Sequence, residues 1–108
     1  MLRIYSLVLD VISKLRPVVP VIEQRDSDLA RQLRRALASV ALNLAEGSYS
    51  RGRNRAARYH SALGSARESL ACIEVAVAFG YIGPVAPDSQ PAFRQVIGTL
   101  VRLVNGPA

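Results

Sequence analysis

An all-α chain, folded as an antiparallel up-down-up-down four-helix bundle, is predicted by three features of this sequence. Apolar residues recur at intervals of three and four in four separate blocks, the period of a helix with a buried face. Glycine, proline and short polar clusters fall between those blocks, where turns belong. Aromatic residues make up only 6% of the chain and tryptophan is absent, so the core must be built from Leu, Val, Ile and Ala. Such a core suits interlocking helices better than a sandwich filled with rings. The 108 residues suffice for one domain, residues 1–108, and leave nothing for a second core.

The first helix is predicted over residues 2–16. Leu2, Tyr5, Val8, Leu9, Ile12 and Leu15 share one face, and Ile4, Leu7 and Val11 widen it. Pro17 and Pro20 end or kink this helix near Arg16, because proline lacks a donor and clashes with the preceding turn. Residues 18–24 are open to two readings, a helical extension beyond a proline kink or an extended connector.

The second helix is predicted over 27–48, capped by Asp26 or Ser27 and with Asp28 set favourably against the helix dipole. Leu29, Leu33, Leu37, Val40 and Leu44 form its seam, and Gly47 and Ser48 mark its end. Arg31, Arg35, Ala38, Leu42 and Ala45 lie roughly opposite that seam. The polar, Gly-containing stretch from Ser48 to Arg55 is the turn to a third helix over 54–80. Tyr59, Leu63, Ala66, Leu70, Ile73 and Val77 point that helix at the core, while Cys72, Val75, Ala76 and Phe79 form a second apolar patch behind it. Gly80 and Pro84 stop it. After a Pro-rich connector over 83–90, a fourth helix over 89–105 starts near Asp88 or Pro91. It buries Phe93, Val96, Ile97, Leu100, Val101 and Val104 and ends at Asn105, Gly106 and Pro107.

Half the residues are hydrophobic, more than a lone domain of this size hides. Association between copies is therefore expected, with Leu7, Val11, Leu42, Cys72, Val75 and Phe79 as candidate subunit contacts. The formal charge is +6, and 13 of the 14 basic residues are arginine. That balance suits a polyanion, since a guanidinium grips phosphate with a fork of donors. A GC-rich genome writing Arg for Lys is the plainer source of the same composition. The one local signal is Arg51, Arg53, Arg55 and Arg58 at the turn between the second and third helices, interleaved with Tyr49 and Tyr59. These four are the candidate contacts to RNA or DNA, charge and stacking surface in one place; the alternative is a solvated loop.

No catalytic, metal or cofactor residues are expected. Di-metal bundles need Glu-x-x-His, and the sole histidine, His60, has no acidic residue three positions before it, so it reads as a surface or rim residue. The lone Cys72 can form no internal disulfide and has no metal-ligand spacing, which predicts a reduced, cytoplasmic setting. Glu46, Glu68 and Glu74 are more simply salt-bridge partners than a catalytic pair. Asp10 interrupts the apolar N-terminal stretch, so neither a secretory leader nor a membrane span is expected.

Polar and small residues interrupt the second and third helices: Gln32, Arg35, Ser39, Asn43, Glu46 and Gly47, then Gly64, Ser65 and Glu68. Ser39, Asn43 and Glu46 share one helix edge, and polar groups in a packed helix need partners. They are expected to form a structural network that sets helix register, with Glu68 as counter-charge for Arg34 or Arg35. The same strings resemble the small four-helix-bundle family, in residues 29 to 82 above all. Its members include proteins encoded in bacterial large-subunit rRNA intervening sequences and accessory variability proteins of diversity-generating retroelements. The resemblance implies a homopentameric ring with a basic surface, and nucleic acid or a reverse transcriptase as partner. The connector over 16–28 departs from the family, with two prolines where one aromatic-proline turn is usual. The expected role is non-enzymatic binding of nucleic acid or of a protein that handles it. The competing role is a protein-binding scaffold whose charge carries no such meaning.

Overall fold

The two prolines of the first connector decide how the chain begins. In the structure, a computed structural model describing residues 3–84 and 89–105 (backbone only at 89 and 90), α1 spans Arg3–Leu15 and α2 spans Val18–Arg25. Residues 18–24 are thus helical, and the continuous 2–16 prediction is corrected to an end at Leu15. The reason is local: Pro17 precedes α2 in an αR conformation and Pro20 falls in its first turn, where the missing N–H has no intrahelical acceptor to lose. Ile4, Val8, Val11 and Leu15 bury one side of α1, and Val19 and Ile22 one side of α2. The expected start at Leu2, part of the 83–90 connector and the stop at Gly106-Pro107 lie outside the described residues.

Three longer helices follow: α3 over Ser27–Tyr49, α4 over Gly52–Ala78 and α5 over Ser89–Asn105. Against the expected 27–48 and 54–80, α3 runs one residue further and α4 is shifted two residues towards the N-terminus. Both changes shorten the turn, because Gly52 takes φ +58° and folds the chain straight back. The expected seam of α3 is buried throughout, from Leu29 to Leu44. α3 and α4 pack against each other along their length, α5 lies on α4 and α1, and α1 and α2 cover α3. The result is an all-helical bundle measuring 42 × 25 × 20 Å. Its core is aliphatic and alanine-rich, with Tyr59, Phe93 and Cys72 as exceptions. Ser69, the one buried polar side chain among the described residues, donates to the Ser65 carbonyl at 2.8 Å.

Helix α4 ends in a Schellman motif: Gly80 sits at φ +75°, its N–H reaches the Val77 carbonyl, and the Tyr81 N–H reaches that of Ala76. Tyr81 is thereby turned toward the start of α3. There Asp26 caps α3 by accepting from the Leu29 N–H at 3.0 Å, and its second oxygen accepts from the Tyr81 hydroxyl at 3.2 Å. Partial desolvation and then the Asp26 carboxylate hold the Tyr81 phenol above its ordinary pKa. One carboxylate thus ties the α2–α3 corner to the end of α4. Asp26→Ala is expected to cost about 1–3 kcal/mol, a cap plus a hydrogen bond. Urea melts should show Tyr81→Phe losing only the hydrogen bond's share of that figure, because the cap stays in place, and equal stabilities for wild type and D26A would refute the tie.

Candidate nucleic-acid interface

The polar residues of α3 and α4 meet along one edge of the helix pair. Ser65 Oγ donates to Ser39 Oγ at 2.7 Å, and Asn43 Nδ2 donates to the same hydroxyl at 3.0 Å and to the Ser39 carbonyl at 2.9 Å. Arg58 extends the chain by donating to Asn43 Oδ1 at 3.4 Å. These bonds pair the C-terminal half of α3 with the N-terminal half of α4, so the two helices run antiparallel. The edge is half-open: Ser39, Asn43 and Ser65 are partly buried, whereas Gln32, Arg35, Glu46, Gly64 and Glu68 are exposed. Of the expected network, Ser39, Asn43 and Ser65 bond one another, and they do so on a surface seam. Gln32, Arg35 and Glu68 line an open depression of about 310 Å³ on it.

The expected counter-charge is also corrected. Among the described residues Glu68 forms no ion pair with Arg34 or Arg35; Arg34 instead bonds Glu23 of α2 at 2.8 Å. Arg34 stands a quarter-turn from Arg35 on the helix, which aims it at α2 rather than α4.

Gly47 is the one buried glycine of the seam. A Cβ built there would stand 2.6 Å from Tyr59 Cε1 and 3.3 Å from Arg58 Cβ. The missing side chain is where the Tyr59 ring lies, and this contact brings the two helices together just below the tip. Tyr59 is therefore a core residue, 6% exposed, and not the stacking surface its neighbours suggest. Tyr49, the last residue of α3, is 82% exposed.

At the tip itself the four arginines divide by role. Arg55 Nε donates to the carbonyls of Ser50 at 2.9 Å and Gly47 at 3.3 Å. With Ser50 on the Glu46 carbonyl, it satisfies carbonyls left open at the end of α3, and Ser48 adds a second donor to that of Ala45. Arg58 braces Asn43. Arg51 and Arg53 are exposed and make no side-chain hydrogen bond or ion pair among the described residues. The first turn of α4 contains no acidic residue and no capping side chain, so the positive end of that 27-residue helix adds to the same field.

The remaining candidates sort by burial. Leu42, Val75 and Phe79 are 65%, 40% and 68% exposed, and Leu7 is half-buried. Val11 at 3% and Cys72 at 4% belong to the protomer's own core and are corrected as subunit contacts. Ala76 is buried too, so the patch behind α4 is narrower than its sequence suggested. Burial and then Glu68 raise the Cys72 thiol above its usual pKa, which keeps it protonated at neutral pH. His60 is exposed on α4. Among the described residues no cluster of His, Cys, Asp or Glu is suited to a metal ion, and no helix is long and apolar enough to cross a membrane.

Two residues escaped the sequence reading. Asp26 was legible as a cap but not as the acceptor for Tyr81, which is 55 positions away. Glu23 carried no signal beyond its charge.

A small all-helical protein with a long antiparallel helix pair, a polar seam and an arginine-rich tip is the class these features define. The family model described as 23S rRNA-intervening sequence protein matches residues 3–97, and the chain belongs to that family. Comparison with curated proteins and with solved structures finds no match.

Proposed function

We propose that this protein is a non-enzymatic homo-oligomer of antiparallel four-helix bundles, with α1 and α2 together forming the first arm, which binds nucleic acid through its α3–α4 tips. The observation that carries this reading is the pair Arg51 and Arg53, two exposed guanidiniums with no partner among the described residues, beside the uncompensated positive end of α4. Their chemistry suits phosphate, and the net charge of +6 suits a polyanion. Contacts of this kind position a nucleic acid without reading its sequence. Family membership supports a setting close to rRNA, and the resemblance noted above supports a ring of five and a cytoplasmic bacterial location. In a ring the tips recur around one rim and their fields add.

Self-association is supported by exposed Leu42, Val75 and Phe79 and by Gly64. A glycine inside an exposed helix costs about 1 kcal/mol relative to alanine, and beyond its own helical turn no described residue lies within 4 Å of the position its Cβ would take. Close approach by a second copy would give that residue a use.

A salt titration of RNA and DNA binding tests the proposal. Affinity should fall steeply as salt rises, and Arg51→Gln with Arg53→Gln should weaken binding and reduce the slope of log K against log salt by roughly one to two per engaged tip. Arg55 is left intact because its loss also opens the end of α3. If wild type binds neither polymer at low salt, the protein-binding scaffold is the better reading. A partner protein such as a reverse transcriptase is a compatible second ligand of the assembly.

A further inference from the structure

We infer that the tip takes unpaired nucleotides, with Tyr49 as the platform on which a base stacks; the inference rests on the nucleic-acid reading above and deepens it. Tyr49 is the most exposed large hydrophobic side chain among the described residues, at 82%. Nothing in its own chain calls for a ring there, since tyrosine at a helix end gains neither propensity nor burial. The chain continues from it directly into Ser50, Arg51, Gly52 and Arg53, so a ring face and two unpartnered guanidiniums leave the bundle within five residues. A base on the ring would leave its flanking phosphates within the span of those arginines.

The α4 side of the tip carries a second feature suited to a strand. Ser50, Asn54, Arg58 and Ser61 line an open concavity of about 480 Å³. Its wall holds hydroxyl, amide and guanidinium groups and no carboxylate, a lining that suits sugar and phosphate. The Asn54 and Ser61 side chains make no hydrogen bond to the described residues, which leaves both available to a ligand. A duplex offers its bases already stacked, and reading it needs a helix or ribbon laid into a groove. This tip is the blunt end of two helices. A splayed single strand, whose bases are free to stack on an aromatic ring, matches it better.

Tyr49 also lies on the α3 face that carries Leu42, two turns back, so a contact between copies is the rival use for the ring. The two uses differ in what they require: a contact between copies needs the ring for assembly, whereas stacking needs it only for binding.

The experiment compares a ten-nucleotide oligouridine RNA with a ten-base-pair blunt RNA duplex by fluorescence anisotropy at fixed salt, using wild type, Tyr49→Ala, Tyr49→Phe and the Arg51→Gln/Arg53→Gln pair. Wild type should prefer the single strand. Tyr49→Ala should lose about ten- to a hundredfold affinity for it, leave duplex binding and the salt slope unchanged, and keep its melting temperature. Tyr49→Phe should retain the affinity. Single-strand binding unaffected by Tyr49→Ala, but weakened by the arginine pair, would overturn the stacking role and leave the charged tip standing. A change in sedimentation coefficient in Tyr49→Ala would assign the ring to a contact between copies and also overturn it. Binding of neither RNA by wild type would remove the underlying nucleic-acid reading itself.

Discussion

Replacing Gly47 with alanine is expected to lower the melting temperature by about 5–15 °C, although alanine is the better helix former. The new methyl would stand 2.6 Å from Tyr59 Cε1 and 3.0 Å from Cδ1, inside any permissible carbon contact. Relief requires either the ring or the helix to move. The ring is 6% exposed and wedged in the core cluster, so it has little room to swing. Moving the helices apart strains the Ser39–Ser65 and Asn43–Arg58 bonds along the same seam. Overpacking of this kind costs about 1–3 kcal/mol, and a domain of this size loses roughly 4–8 °C per kcal/mol.

Gly64 supplies the control. Alanine there meets nothing within 4 Å, so in the isolated protomer it should be neutral or stabilising by up to about 1 kcal/mol. Two glycines on one helix pair thus carry opposite expected signs. Thermal melts of G47A, G64A and the combination of G47A with Tyr59→Leu would test this. The smaller side chain should restore part of the loss, and equal melts for G47A and wild type would show that the contact yields at no cost.

The same pair of residues marks how far the sequence could be read. The stripe from Leu29 to Leu44 announced α3 because a buried helix face has a period that no other element mimics. The polar edge was legible too, since Ser39, Asn43 and Ser65 fall where two antiparallel helices would meet. Burial was harder to foresee. Tyr49 and Tyr59 both stand among arginines; periodicity set Tyr59 on the core face of its helix, and its packing into the space left by Gly47 removes its second reading as a stacking surface. That pairing joins two helices and leaves no local trace. Val11 and Cys72 looked outward because periodicity gives a residue's angle on its own helix, not the width of the neighbour covering it. Arg34 went to Glu23 because α2 proved to be a helix lying on α3, and proline chemistry alone left that segment's conformation open.

Changing Leu42 to glutamate is expected to break the assembly into monomers and, with it, to abolish tight nucleic-acid binding without touching the tip. The chain exposes 6702 Å², and half of its residues are hydrophobic. Single exposed apolar residues are ordinary. Here, however, Leu42 lies between exposed Ala38 and half-buried Ala45 on α3, while Val75 and Phe79 project from α4. A standard interface removes about 800 Å² per partner, a modest share of that surface. A carboxylate at its centre would be buried unpaired, a penalty of several kcal/mol. Because Leu42 is 65% exposed in its own chain, the protomer should keep its helicity and its melt.

Binding would fail for a different reason. On the proposed reading each tip offers two arginines unengaged among the described residues, too few for more than weak affinity, so tight binding would come from several tips held at high effective concentration. L42E should therefore sediment as an 11.7 kDa species and bind at least tenfold more weakly than wild type, with the residual affinity still sensitive to Arg51 and Arg53. An assembled L42E would move the contact to another face. A wild type that is monomeric at micromolar concentration would remove the ring, and then the charge on a single tip would have to account for all the binding there is.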